Sequence, residues 1–316
     1  MSKTKKEQFV EALEHGITHK AMYLLQFMKN KINELYDYRS PLFWASRYGN
    51  EKVAQALREM GAVEKVDKEG MGEELLKILG VQSADEIDEK RAIELIKDGA
   101  NIEKKDTFGQ TALIWASRYR RVEVVKTLLS RGAKVDEKDN DGDTALLDAS
   151  KNGYVKIVKT LIEKGAEVDE KDNRGVTALI KASSYDNVKV VKTLIENGAM
   201  VDEKDNRGYT ALILASQYGY IEVVEALIEN GAKVDEKNND GKTALIMASR
   251  HERVAVVEAL LDAGADVTIT DNKGYTAIDN TSDDEIKKML KEALRKQKEK
   301  QNEQIVINKR SDFFGK

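Results

Sequence analysis

Apolar residues recur along this chain in two blocks per cycle, with polar turn residues between them. Residues 139 to 171 show one full cycle. Asp139-Asn140-Asp141-Gly142 is a cluster of turn formers in which Gly142 is free to take positive φ. Thr144 then opens a short helix through Ser150, and Gly153 stops it, as expected of a left-handed helix end. Val155 to Glu163 is predicted as a second helix, with Val155, Val158, Leu161 and Ile162 at helical spacing. Gly165-Ala166 ends it, and Val168-Asp169-Glu170-Lys171 leads into the next turn. The turn glycine returns every 33 residues, at Gly109, Gly142, Gly175, Gly208, Gly241 and Gly274. A fixed period of this length marks an array of small units that cannot bury their apolar faces alone and must stack.

The first helix of a cycle opens as in Thr111-Ala112-Leu113-Ile114-Trp115-Ala116. The same start recurs at Thr144, Thr177, Thr210, Thr243 and, in weaker form, Thr276. Ser40-Pro41-Leu42-Phe43-Trp44-Ala45 is an earlier version. With the 33-residue period, this start resembles the ankyrin repeat, whose usual signature is Thr-Pro-Leu-His-x-Ala. Ala stands for the usual Pro in every unit but the first, and an aliphatic residue or Phe stands for the His. Pro at the first helical position is helpful but dispensable, because that N–H is unpaired anyway and Ala is the best helix former. The resemblance covers roughly residues 5 to 295. It implies an all-α repeat fold, an ankyrin-type α-solenoid of about nine helix-turn-helix units with hairpin loops.

The expected layout starts with an N-terminal capping unit at 1–38 and a repeat at 39–66. An irregular repeat with an insertion follows at 67–105, then five regular repeats at 106–271. A C-terminal capping unit at 272–295 and a polar tail at 296–316 complete it, the tail read as frayed helix or disorder. The first cap has apolar faces at Phe9, Val10, Ala12 and Leu13 and at Ala21, Leu24, Leu25 and Met28. The irregular repeat lacks the Thr-Ala-Leu start, yet Leu75, Leu76, Ile78 and Leu79 supply a helix face. Ser83-Ala84-Asp85-Glu86 reads as a capping box that restarts the chain, so 67–105 is either a drifted repeat with a longer loop or a protruding contact. In the last cap, Ser282 or Asp283 is placed to cap the helix that carries Ile286, Met289, Leu290 and Leu294. Apolar clusters at Ile305-Val306-Ile307 and within Asp312–Lys316 stand out as docking motifs, as residues folded back on the last helix, or as chance.

Composition narrows the function. The 316 residues carry a net charge of −4 with 34% charged side chains, which argues against nucleic-acid binding driven by bulk charge. With no Cys, disulfides, thiolate catalysis and cysteine-ligated zinc are excluded. The start of the chain is polar and no apolar run is long enough to span a bilayer, so the expected location is cytoplasmic. Delivery into a host cell by a route that leaves no N-terminal signal stays open.

Nothing in the sequence assembles a catalytic centre. His15 and His19 have the spacing of a two-His metal face, but Gly16 lies between them and no third ligand is apparent. Ser46, Ser117, Ser150, Ser183, Ser216 and Ser249 share one repeat position. A nucleophile is needed once, so these serines read as packing, standing for a small Ala between the paired helices, with a hydroxyl able to bond back to a preceding carbonyl. The calcium-loop look-alike from Glu137 to Asp148 runs into the helix start at Thr144 and repeats in sister units as a hairpin. Gly241-Lys242-Thr243 lacks the earlier glycine of a phosphate loop. The chain is read as a non-enzyme with no cofactor and no metal.

Function is then sought where the units differ. Ankyrin repeats usually meet partners on the concave side, through hairpin tips and the ends of the first helices. Carried over, this marks Arg47, Tyr48, Arg118, Tyr119, Asn152, Tyr185, Tyr218, Arg250 and His251 at helix ends. Trp44 and Trp115 stand at the groove-facing helix position, with Asp148, Lys181, Leu214 and Met247 after them. Phe108, Val176, Tyr209 and Tyr275 are assigned to hairpin tips. Arg120 stands where Gly49, Gly153 and Gly219 end their helices; with Arg118 and Arg121 it reads as a patch kept for contact. Trp, Tyr and Arg dominate interface hot spots. The centre of the face is expected at Trp44, Arg47, Tyr48, Trp115, Arg118 and Tyr119. The resulting expectation is a protein-protein interaction module that scaffolds, sequesters or recruits a partner protein, one from a host or a competing genetic element included. Two other readings stand beside it: a nucleic-acid or phosphate-ligand binder using the Arg/aromatic stripe, and a self-association module.

Overall fold

A computed structural model describes residues 3–28, 33–80 and 86–314, the side chains of 86, 87 and 301–314 excepted. The described residues form an all-α repeat solenoid of seventeen helices. In chain order these are α1 (Lys5–Glu14), α2 (Thr18–Leu25), α3 (Pro41–Arg47), α4 (Glu51–Glu59), α5 (Lys68–Leu79), α6 (Glu86–Lys97), α7 (Ala112–Arg118) and α8 (Val122–Ser130). The series continues with α9 (Ala145–Lys151), α10 (Val155–Glu163), α11 (Ala178–Ser184), α12 (Val188–Glu196), α13 (Ala211–Tyr218), α14 (Ile221–Glu229), α15 (Ala244–Arg250), α16 (Val254–Asp262) and α17 (Asp284–Phe314). Residues cluster in two compact units. Unit 1 takes in 1–107, 111–115 and 126–133; unit 2 takes in 108–110, 116–125 and 134–316.

In unit 2 the odd-numbered helices from α9 to α15 pack side by side, and so do the even-numbered ones from α10 to α16. Each first helix starts on a buried threonine in extended geometry. The Thr177 hydroxyl, for example, accepts the Ile180 N–H at 3.3 Å. Such a cap is worth about 1 kcal/mol, and it defines the start that the Thr-Ala-Leu pattern announces. In α11, Ala178, Leu179, Ile180, Ala182 and Ser183 are all buried, because the helix has neighbours on several sides. In α10 only the stripe Ile157, Val158, Leu161 is buried, and the lysines between point to water.

The hairpins are held by ladders between consecutive repeats. Asp172 accepts the N–H groups of Arg174 and Val176, each at 2.9 Å, and so fixes the turn. Asp139, Asp205, Asn238 and Asp271 do the same in their own hairpins. The Asp139 carboxylate of the calcium-loop look-alike is thus spent on its own backbone. Asn206 then donates its backbone N–H to the Arg174 carbonyl and its side-chain amide to the Asn173 carbonyl, one repeat back. Asn173, Asn239 and Asn272 repeat both bonds. Positive φ is common to the periodic glycines, and this contact adds a second reason wherever another hairpin follows. Gly175 has φ +76°, and a Cβ there would lie 2.9 Å from the Asn206 backbone nitrogen and inside contact of its side-chain oxygen. Gly274 has φ +83° but meets nothing, since no hairpin follows it.

The repeated serines are packed without the optional bond to a carbonyl, Ser46 excepted. The hydroxyls of Ser117, Ser150, Ser183, Ser216 and Ser249 are buried and have no hydrogen-bond partner, so none bonds back to a carbonyl. Ser46, at the same repeat position, is exposed. Close packing of small side chains between first helices, rather than a polar tie, accounts for this repeated position.

Unit 1 departs from the repeat. The spacing of 38 from Gly61 to Gly99 departs from 33, and α5 has 12 residues where α9 has 7. Asp67 caps α5 by accepting the Gly70 N–H at 2.9 Å, and Met71, Leu75, Leu76 and Leu79 are buried. The extra length is therefore partly helix; Ser83-Ala84-Asp85 lies outside the described residues. Phe9, Val10, Ala12, Leu13, Ala21, Leu24 and Leu25 form the buried faces of α1 and α2, with Met28 buried just beyond them. Gly16 at φ +68° separates those helices, leaving His15 just past the end of α1 and His19 within α2.

At the C-terminal end, residues 275–280 form turns instead of a first helix. The Thr276 N–H and hydroxyl both donate to Asp279, which fixes that turn. Asp283 caps α17 by accepting the Ile286 N–H at 2.8 Å. The helix continues to Phe314, where the sequence suggested fraying or disorder. No Pro or Gly interrupts 284–314, and Arg295–Glu299 and Glu292–Lys296 pair along it. The Ile305–Ile307 cluster lies on this helix with its side chains outside the description, as are Gly315 and Lys316.

Candidate protein-binding face

Residues at equivalent repeat positions meet different surroundings in the two units. In unit 1, Trp44 is only 7% exposed and belongs to the core. Its indole N–H donates to the Tyr36 carbonyl at 3.1 Å, Tyr48 stacks on it at 5.7 Å, and the Arg39 guanidinium lies over it at 5.2 Å. Arg39 is fully buried and donates to the Asp37 and Asp98 carboxylates at 2.9 and 2.7 Å. Arg47 pairs with the same Asp98. Trp115, half-buried, donates to Asp106 at 2.9 Å. Trp44 is thus an interior residue, and Arg47 is committed to a neighbour. Their type suggested hot spots, but aromatic rings and guanidinium groups serve a core equally well once a carboxylate is buried beside them.

In unit 2, Arg118 is held in a polar cluster. It donates to Asp148 at 2.8 and 3.0 Å and to the Gln110 side chain at 2.9 Å, and Asp139 stands 3.7 Å away. Burial pushes the Asp148 carboxyl above its usual pKa, although Arg118 acts in the opposite sense. Lys181, buried in the next repeat at the same position as Asp148, pairs with Asp143 and approaches Asp172 to 3.5 Å. Positions read as groove-facing therefore hold an internal charge network. Arg121 is also buried, at 7%. Tyr119 is half-buried. Arg120 is exposed over the Tyr154 ring and keeps left-handed geometry at φ +62°. Asp186 and Glu252 adopt the same geometry at the same position, φ +58° and +57°, so the turn type is retained without glycine.

The hairpin residues differ in exposure. Phe108 is 66% exposed, whereas Tyr209 is 7% exposed with Arg207 lying over its ring at 5.1 Å. Phe108 precedes its hairpin glycine and Tyr209 follows one. Position relative to the glycine does not settle exposure, since Tyr275 also follows its glycine, with its N–H donated to Asp271, and is 53% exposed. Asn152, Arg250 and His251 are exposed at helix ends, and Asn152 also donates to the Asp148 carbonyl. Burial first, then Arg250, Arg253 and Lys242, lower the His251 pKa.

Tyr185 and Tyr218 remain open, at 53% and 44% exposure. They line a cleft of about 550 Å³ in unit 2 together with Lys151, Arg174, Arg207 and Leu214. Lys151 lies over the Tyr185 ring at 5.3 Å, and Tyr218 stacks on Tyr220 at 5.7 Å. Arg174 and Arg207, each before a hairpin glycine, escaped the sequence reading. The signal was there: the residue before the hairpin glycine is Phe108, Asp141, Arg174, Arg207, Asp240 and Lys273, more varied than its neighbours.

Among the described residues, no group of three or more His, Asp or Glu is arranged to hold a metal, and no helix is long and apolar enough to cross a membrane. A family model described as ankyrin repeats in three copies matches residues 82–172 and 165–238. Another, described as ankyrin repeats in many copies, matches residues 227–279. No curated protein matches the chain.

Proposed function

Because the chain belongs to the ankyrin-repeat family, whose repeats generally act as protein–protein interaction modules and are typically non-catalytic, we propose that it binds a partner protein through the hairpin and first-helix face of unit 2. The observation that carries this reading is the cleft around Tyr185 and Tyr218. There the exposed residues are those that vary from repeat to repeat, whereas the recurring Thr, Asn, Asp and Gly are consumed in caps and ladders. A fold hosts whatever partner its variable surface fits, so the non-repeating residues define function. Tyr beside Arg is a composition enriched in interface hot spots. The role is to scaffold, sequester or recruit that partner from within the cytoplasm. The polynucleotide reading loses its main cations, since Arg47 and Arg118 are paired to carboxylates and Arg121 is buried.

Affinity capture with mass spectrometry tests the reading. The wild-type chain is compared with a Tyr185→Ala/Tyr218→Ala variant and with a Lys159→Ala/Lys192→Ala control on exposed second-helix positions. A protein held by the wild type and the control but lost by the tyrosine variant, at equal helicity, is the expected result. Retention by all three moves the binding face elsewhere.

A further inference from the structure

The same cleft carries information about what enters it. Four cations line it: Lys151, Arg174, Lys181 and Arg207. Two of them are answered from within. Lys181 pairs with Asp143, and Arg174 pairs with Asp172 at 3.0 Å. Lys151 and Arg207 form no ion pair among the described residues; each lies over a tyrosine ring instead, Tyr185 and Tyr209. The cleft therefore offers positive charge in excess of its own carboxylates, beside two exposed tyrosines.

The extent of this charge is bounded. Along the position before the hairpin glycine the order is Asp141, Arg174, Arg207, Asp240. Two cations in consecutive repeats are bracketed by acids in the repeats before and after. A long polyanion laid along the hairpins would meet repulsion at both ends, whereas a short segment would not. The aromatic floor adds apolar contact area at small entropic cost.

Resting on the reading of this face as a protein-binding one, we propose that the cleft takes a short acidic segment of a partner protein. Its carboxylates pair with Lys151, Arg207 and the exposed guanidinium of Arg174, and an apolar or aromatic side chain of the segment is set against Tyr185 and Tyr218. Arg guanidinium groups suit bidentate pairing with carboxylates.

The test is selection of the full chain against a displayed library of random short peptides, followed by binding of the enriched peptides and of a short oligothymidylate by fluorescence anisotropy. Acidic peptides with an apolar anchor are expected. Their affinity should fall about tenfold in a Lys151→Glu/Arg207→Glu variant and weaken as salt rises. Both substitutions are at exposed, unpaired positions, and circular dichroism verifies the fold. Neutral or basic peptides that depend on Tyr185 and Tyr218 would overturn the acidic segment while leaving the protein-binding face intact. Peptides indifferent to all four substitutions would overturn the face itself. Failure to enrich any peptide, or tighter binding of the oligothymidylate than of the selected peptides, would also overturn the proposal.

Discussion

Arg47-Tyr48 in unit 1 and Lys151, Tyr185 and Tyr218 in unit 2 occupy corresponding helix-end positions, yet they do opposite things. Tyr48 stacks on the buried Trp44, and Arg47 closes onto Asp98. Tyr185 and Tyr218 stay at the surface around a cleft, and Lys151 has no carboxylate partner among the described residues. The difference follows from how each unit is held together. Among its described residues, unit 1 uses a private cluster of Arg39, Arg47, Arg91, Asp37, Glu74 and Asp98. Unit 2 uses bonds that recur from repeat to repeat and involve residues near the hairpins. Where cohesion comes from repeated ladders, the variable positions are left over for binding.

The largest expected effect breaks the private cluster. Arg39→Met removes the buried partner of Asp98 and Asp37, which keep Arg47 and Arg91, and should cost about 3 kcal/mol. Both tryptophans, Trp44 and Trp115, belong to unit 1, so urea unfolding followed by tryptophan fluorescence reads it directly. An unchanged midpoint would show that the cluster is not what holds this unit.

The ladder can be broken at one rung. Gly175→Ala imposes a strained φ and forces Asn206 away; it should cost more than about 2 kcal/mol. Gly274→Ala imposes only the strained φ and should cost about 1 kcal/mol. Circular dichroism in urea measures both. Equal losses would show that the contact with the next hairpin contributes nothing.

The smallest effect concerns pH. Burial acts to raise the Asp271 pKa, but the N–H groups of Tyr275 and Lys273, with Lys242 and Lys273 nearby, outweigh it and hold the carboxyl below its usual value. A carboxyl whose folded pKa is depressed adds stability above its unfolded pKa and loses it as pH falls through the folded one. Asn238 makes the same turn without titrating. Asp271→Asn should therefore change stability at neutral pH by less than about 1 kcal/mol and flatten the acid side of the stability profile. A profile as steep as that of the wild type below pH 4 would refute this role for Asp271.

Much of the fold was legible from the chain. The spacing of Thr144, Gly153, Val155 and Glu163 matches α9 and α10, because caps, helix ends and apolar periodicity are local properties. The proposed binding face was less legible. Trp44, Arg121 and Tyr209 have the residue types of a hot spot and are buried. Residue type does not say whether an aromatic or a cation has found a partner within the molecule. Arg39 drew no attention because its partners include Asp98, far along the chain.

The sequence by itself determined the repeat, the helix starts and stops, and the need to stack, since each is written within one 33-residue cycle. Only the tertiary structure decided which cations are spent on carboxylates and which face solvent. It also decided that the hairpin glycine must make room for the next asparagine. Those outcomes depend on contacts between residues a repeat or more apart, and no local pattern encodes a distance.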